Sequence, residues 1–126
     1  MNKNVAQLYE DYGVNGEGIV DSAFSANEVA VSDIKAATGF DVSGGSFFTV
    51  DLSDESGDVT VASLVNMIPG KEYVFVAYNG AAKKYKLVFT GAKLNPATLT
   101  LANGDTIVYK AITDGTKVFI DWHNFA

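Results

Sequence analysis

KEYVFVAYNGAAKKYKLVFT, residues 71–90, places two strand-like runs on either side of a turn dipeptide. In KEYVFVAY the apolar side chains fall on both faces, the pattern of a strand covered on both sides. In KKYKLVFT they alternate, so that Tyr85, Leu87 and Phe89 face inward while Lys84 and Lys86 face out. Asn79-Gly80, which tolerates positive φ, predicts a hairpin loop between the two.

The same texture extends in both directions from this stretch. Upstream, SFFTVDL (46–52) puts Phe48, Val50 and Leu52 on one face, SDESGD supplies a turn, and VTVASLV runs on until Pro69-Gly70 breaks it. Downstream come ATLTL after Asn95-Pro96, a loop around Asn103-Gly104, TIVYKAI, the Asp114-Gly115 turn and TKVFIDW. Asn-Gly and Asp-Gly turns flanked by apolar runs predict sequential antiparallel pairing. The expected fold is mainly β: an antiparallel β-sandwich or small barrel of six to seven strands over residues 46–126.

Residues 1–45 differ. Apolar residues are scattered singly among Gly, Ala, Ser, Asn and acids, so this segment is expected to be an extended N-terminal arm. SDIKAATG (32–39) predicts one short helix near 33–38, with Ser32 as N-cap and Gly39 as left-handed stop. Ser25 and Glu28 have capping-box spacing, yet Val29 and Val31 alternate like a strand, and the two readings stay open there.

Of the 126 residues, 36 are Val, Ile, Leu or Phe, enough to build a real core and to exclude disorder over most of the length. The absence of Cys removes disulfides, thiolate metal sites and thiol nucleophiles. All nine basic residues are lysine, and without arginine's bidentate fork a nucleic-acid partner is not expected. The charge is uneven: residues 1–63 carry 2 Lys and 11 acids, residues 64–126 carry 7 Lys and 4 acids. Such a chain can attract its own copies head to tail, or present two solvated faces of one domain. No apolar run approaches a membrane span, and no apolar stretch follows Met-Asn-Lys-Asn as an export signal requires. The chain is therefore expected to stay where it is made, without a membrane partner.

Each chemical motif has a plainer reading. Asp51, Asp54, Glu55 and Asp58 fail the calcium-loop template, since Gly57 falls at position seven and Ala62 at twelve; a solvated turn fits better. Gly13, Gly16 and Gly18 match neither phosphate-binding fingerprint and read as a connector. His123, beside Trp122, has no acid–base partner suggested by spacing. Tyr73, Phe75, Tyr78, Tyr85, Phe89 and Tyr109 offer a carbohydrate platform or, more simply, core. Lys83, Lys84 and Lys86 suit an acidic partner or guard a strand edge against aggregation. No catalytic residue, cofactor or metal is expected, and the chain does not read as an enzyme.

Two stretches, MIPGKEYVFVAYNG and YKLVFTGAKLNPATLTLANGDTIVYKAITDGTKVFI, carry a resemblance to the auxiliary virion proteins of tailed phages: head decoration proteins and the trimeric bases of head or tail fibres. The resemblance covers about half of the chain, residues 59–120. It implies an extended arm lying on the capsid or a neighbouring subunit, a cysteine-free β domain, and a virion component made in the host cytoplasm. It further implies protein subunits as partners, in a homo-oligomer such as a trimer. The residues expected to bind them are Val5, Leu8, Tyr9, Ile19, Val20 and Phe24 as apolar anchors. Glu10, Asp11, Glu17, Asp21 and Glu28 would steer the contact toward Lys83, Lys84 and Lys86. The alternative is a carbohydrate- or ligand-binding β module of a surface or fibre protein.

Overall fold

A computed structural model describes residues 27–80, 83–101 and 106–125. In chain order the elements are β1 (Asn27–Val29), α1 (Val31–Ile34), β2 (Phe40–Asp41), a 3-10 turn (Val42–Gly44), β3 (Phe47–Asp51), β4 (Val59–Val61) and β5 (Leu64–Val65). They continue with β6 (Tyr73–Tyr78), β7 (Leu87–Phe89), β8 (Lys93–Asn95), β9 (Thr106–Thr113) and β10 (Val118–Phe125). The fold is mainly β. A six-stranded sheet has the order β1-β3-β6-β9-β10-β8, and two small sheets pair β2 with β5 and β4 with β7.

The antiparallel meander expected over residues 46–126 is corrected to a mixed sheet. β6 is antiparallel to β9 and β9 to β10, whereas β1–β3, β3–β6, β10–β8, β2–β5 and β4–β7 are all parallel. Among the described residues, only Asp114-Gly115 forms the tight hairpin its sequence predicts. Asp114 Oδ1 accepts from the N–H groups of Thr116 and Lys117, both at 2.8 Å, and Gly115 takes φ +99°.

Asn79-Gly80 does something else. Gly80 is not in the positive-φ conformation that a type I′ turn requires; a Cβ there would lie 2.9 Å from that of Ser53. The Asn79 amide bonds both backbone groups of Tyr85, accepting from its N–H at 3.0 Å and donating to its carbonyl at 2.7 Å. The chain thus leaves the large sheet, and β7 pairs with β4 instead of returning along β6. Asn103-Gly104 lies outside the described residues. The strand expected in ATLTL lies earlier, at Lys93–Asn95.

The helix is shorter than expected and starts earlier. Ala30, at the end of β1, accepts from the N–H groups of Asp33 and Ile34, so the turn begins ahead of Ser32. Gly39 is left-handed as predicted, at φ +97°, but it closes a turn from Ala36 and not the helix itself. The open reading of residues 25–31 resolves as strand β1 at Asn27–Val29, while Val31 opens the helix.

Alternation sends Phe48, Val50, Tyr73, Phe75, Ala77, Ile107, Tyr109, Ala111, Ile120 and Trp122 to the inner face of the large sheet, all buried. Val59, Val61, Leu87 and Phe89 of the β4–β7 pair join the same core. So do Ile34, Phe40 and Val42, which lie on the arm side of the division expected at residue 45. The core therefore runs across that position; residues 1–26, the rest of the expected arm, lie outside the described residues.

Two buried rings test this packing. Phe40 meets Phe48 edge-on at 5.2 Å and Phe75 at 6.0 Å, so Phe40→Ala is expected to cost about 3–5 kcal/mol in urea denaturation of the full chain. The Tyr109 hydroxyl accepts the Leu87 N–H at 2.8 Å and tethers β7 to the large sheet. Burial holds that hydroxyl far above the usual tyrosine range. Tyr109→Phe, which leaves a buried N–H unpaired, is expected to cost about 1–3 kcal/mol in the same measurement.

Candidate functional site

The large sheet turns its other face outward, and the strand registers order that face into rows. Ile112, Phe119 and Lys93 lie side by side across β9, β10 and β8; the next row is Phe47, Val74, Lys110, Asp121 and Asn95. A third row runs Glu28, Thr49, Val76, Val108 and His123, and a fourth Asp51, Tyr78, Thr106 and Phe125. Phe47, Tyr78, Ile112, Phe119 and Phe125 are 38–54% exposed, while Val76 is buried among its neighbours. An outward face with five half-exposed large apolar side chains is unusual for a solvated surface.

At the β9–β10–β8 corner this face deepens into a groove of about 280 Å³. Phe119 and Ile112 form its apolar part; Glu72, Lys93, Asn95, Lys110 and Asp121 supply the polar groups. Asp121 is 3.3 Å from His123 Nε2, and the His123 ring lies 6.5 Å from that of Phe125.

The residues expected to bind partners fall into two groups. Val5, Leu8, Tyr9, Ile19, Val20 and Phe24 lie outside the described residues, as do Glu10, Asp11, Glu17 and Asp21. Two of the three lysines are occupied within the domain. Lys83 Nζ donates to the carbonyls of Ser53 and of Glu55, the latter at 2.8 Å, and Lys86 Nζ pairs with Asp58 at 2.9 Å. They fasten the acidic turn at residues 52–58, and of the three only Lys84 is exposed, the other two being half-buried. The acids thus hold a turn together: Asp51 accepts from the Ser53 N–H and hydroxyl, and Asp58 also accepts the Lys86 N–H at 3.1 Å. Among the described residues no three acids or histidines are placed to hold a metal ion, and no helix is long and apolar enough to cross a membrane.

Of the six aromatics weighed as a carbohydrate platform, Tyr73, Phe75, Phe89 and Tyr109 are core and Tyr85 is half-buried; Tyr78 alone is well exposed. Phe47, Ile112, Phe119 and Phe125 were not singled out from the sequence. The signal was the same alternation that sent Phe48 and Ile120 inward. Comparison with protein-family models, curated proteins and solved structures finds no match to this chain.

Three exposed carboxylates are held below their usual range by hydrogen bonds. These are Asp41 (from Ser43, then Asn66), Asp51 (from Ser53) and Asp114 (from the N–H groups of Lys117 and Thr116). Each titrates near 3.8 when unfolded and lower when folded, so its contribution is complete above that pH and lost as pH falls through the folded value. Thermal melts are expected to be insensitive to these groups above about pH 5 and to fall below about pH 4. Asp114→Asn should reduce the acid-dependent part of that fall.

Proposed function

We propose that this protein is a structural subunit of a larger assembly, of the auxiliary virion kind its sequence resembles. In this reading residues 1–26 of one copy lie on the outer sheet face of the next. The observation that carries it is the apolar patch formed by Phe47, Val74, Val108, Tyr78 and Phe125 on a face turned away from the core.

Size supports a segment as the occupant over a second whole face. With about 4.8 Å between strands and about 6.7 Å between alternate residues, the patch measures roughly 14 Å by 14 Å. A stable two-copy interface covers about 800 Å² on each partner. A chain segment lying across the strands needs far less, and residues 1–26 include Val5, Leu8, Tyr9, Ile19, Val20 and Phe24. The segment joins β1 at the edge of the same sheet, and an extended run of that length reaches up to about 85 Å, enough to leave its own domain. The finer architecture, a sandwich in which the small sheets back the large one, belongs to the same proposal. So does the absence of catalysis, since the exposed His123–Asp121 pair has no nucleophile assigned to it.

Light scattering on the full chain is expected to show an oligomer. Tyr78→Lys/Val108→Lys on the face, and separately Leu8→Ser/Ile19→Ser/Phe24→Ser in the segment, should each give folded monomers. An equimolar mixture of the two should recover a heterodimer, because one intact segment meets one intact face. A wild-type monomer at every concentration, or a segment variant that still oligomerises, overturns the proposal.

A further inference from the structure

The groove at the β9–β10–β8 corner lies beside the patch used above and has a different character. We infer that it is a binding site for a neutral saccharide, with the Phe119 ring under one sugar face and Asp121, Asn95, Glu72, Lys93 and Lys110 around the hydroxyls.

The chemistry of the lining selects the ligand class. Phe119, 41% exposed, sits between Ile112 and Lys93 in one row, an apolar floor for the C–H face of a pyranose. The next row places Lys110, Asp121 and Asn95 side by side, and Glu72 completes the rim. Hydroxyl groups donate and accept at once, and this set offers ammonium and amide donors together with carboxylate and amide acceptors. Two acids and two lysines cancel in charge, which favours neither a phosphate nor a metal cation.

Availability is the second argument. Lys110 and Asp121 are direct cross-strand neighbours, yet they form no ion pair. Among the described residues, the side chains of Glu72, Lys93, Asn95 and Lys110 make no hydrogen bond or ion pair with one another or elsewhere. A ligand therefore breaks no existing bond of these four groups when it binds. Apart from Glu72, which precedes β6, the positions come from three adjacent strands in register, so the backbone that carries them is in place before the ligand arrives. The volume, about 280 Å³, suits one or two sugar rings.

The test is amide-shift titration of the full chain with methyl glycosides of glucose, galactose, mannose and N-acetylglucosamine and with the corresponding β-1,4-linked disaccharides. Inorganic phosphate serves as the charged comparison. At least one sugar is expected to give saturable shifts confined to residues 72, 93–95, 110–112 and 119–121, with phosphate giving none there. Phe119→Ala and Asp121→Asn are expected to weaken that binding about tenfold or more, while Ile68→Ala, at an exposed position outside both the groove and the patch, leaves it unchanged. Both altered side chains are exposed, and an unchanged thermal transition confirms that the variants are folded. The inference is overturned if no sugar gives saturable shifts, if phosphate binds the groove as well as the sugars do, or if Phe119→Ala binds as tightly as the wild type. The oligomer experiment above does not depend on this result, so the two readings fail separately.

Discussion

Six rings in contact run through the middle of this domain and connect its three sheets. Phe40, Phe48, Phe75, Phe89, Tyr109 and Trp122 follow one another at centroid separations of 5.2, 5.2, 5.4, 5.2 and 5.8 Å. They come in turn from β2, β3, β6, β7, β9 and β10, so the β3–β6 and β9–β10 pairs gain an aromatic contact beside their ladders, while the β2–β3, β6–β7 and β7–β9 contacts join strands of different sheets. Such pairs add about 0.5–1.5 kcal/mol each beyond the area they bury. The two small sheets, with strands of two and three residues, need that anchorage, because a two-stranded ladder alone is marginal in water.

This packing fixes the path of the chain. Phe89 reaches Phe75 and Tyr109 from the β4–β7 pair, and a hairpin partner of β6 would have placed residue 89 in the large sheet. The Asn79 amide, bonded to both backbone groups of Tyr85, and Lys83, bonded to the carbonyls of Ser53 and Glu55, hold the crossing in place. Lysines that looked like partner contacts are therefore fasteners of a crossover, and the acidic turn they grip is part of the scaffold.

The strands themselves were legible because alternation survives any topology. Phe48, Val50 and Leu52 face inward as their spacing predicts, and so do Leu87 and Phe89. Pairing was not legible. An Asn-Gly dipeptide makes a type I′ hairpin turn only if its backbone adopts positive φ, and here a glycine was needed for close approach to Ser53. Parallel pairs such as β3–β6 leave no local mark, because the residues that pair are separated by intervening chain that belongs to other sheets. The outer-face residues were hidden for a related reason. Apolar side chains on both faces of β6 read as a strand covered on both sides, and the sequence alone does not say that Val74 and Tyr78 stay partly exposed in the folded domain.

The division of the outer face follows from strand order. β6 lies in the interior of the sheet between β3 and β9, and its outward residues Val74, Val76 and Tyr78 make the middle of the face apolar. Toward β10 and β8 the outward positions become Asp121, His123, Lys93 and Asn95, as expected where a sheet edge meets water. Phe125 belongs to the apolar patch, and Phe119 and Ile112 are the exceptions beyond it, apolar residues set among charges at the edge. Edge protection alone is served by Lys93 and Asp121 and has no use for a half-exposed phenylalanine between them. A ring on a rigid strand, bordered by donors and acceptors of balanced charge, is instead the arrangement a polar ligand with one apolar face requires. One face thus has room for two contacts of different chemistry: an apolar centre suited to protein and a charged corner suited to a small polar molecule.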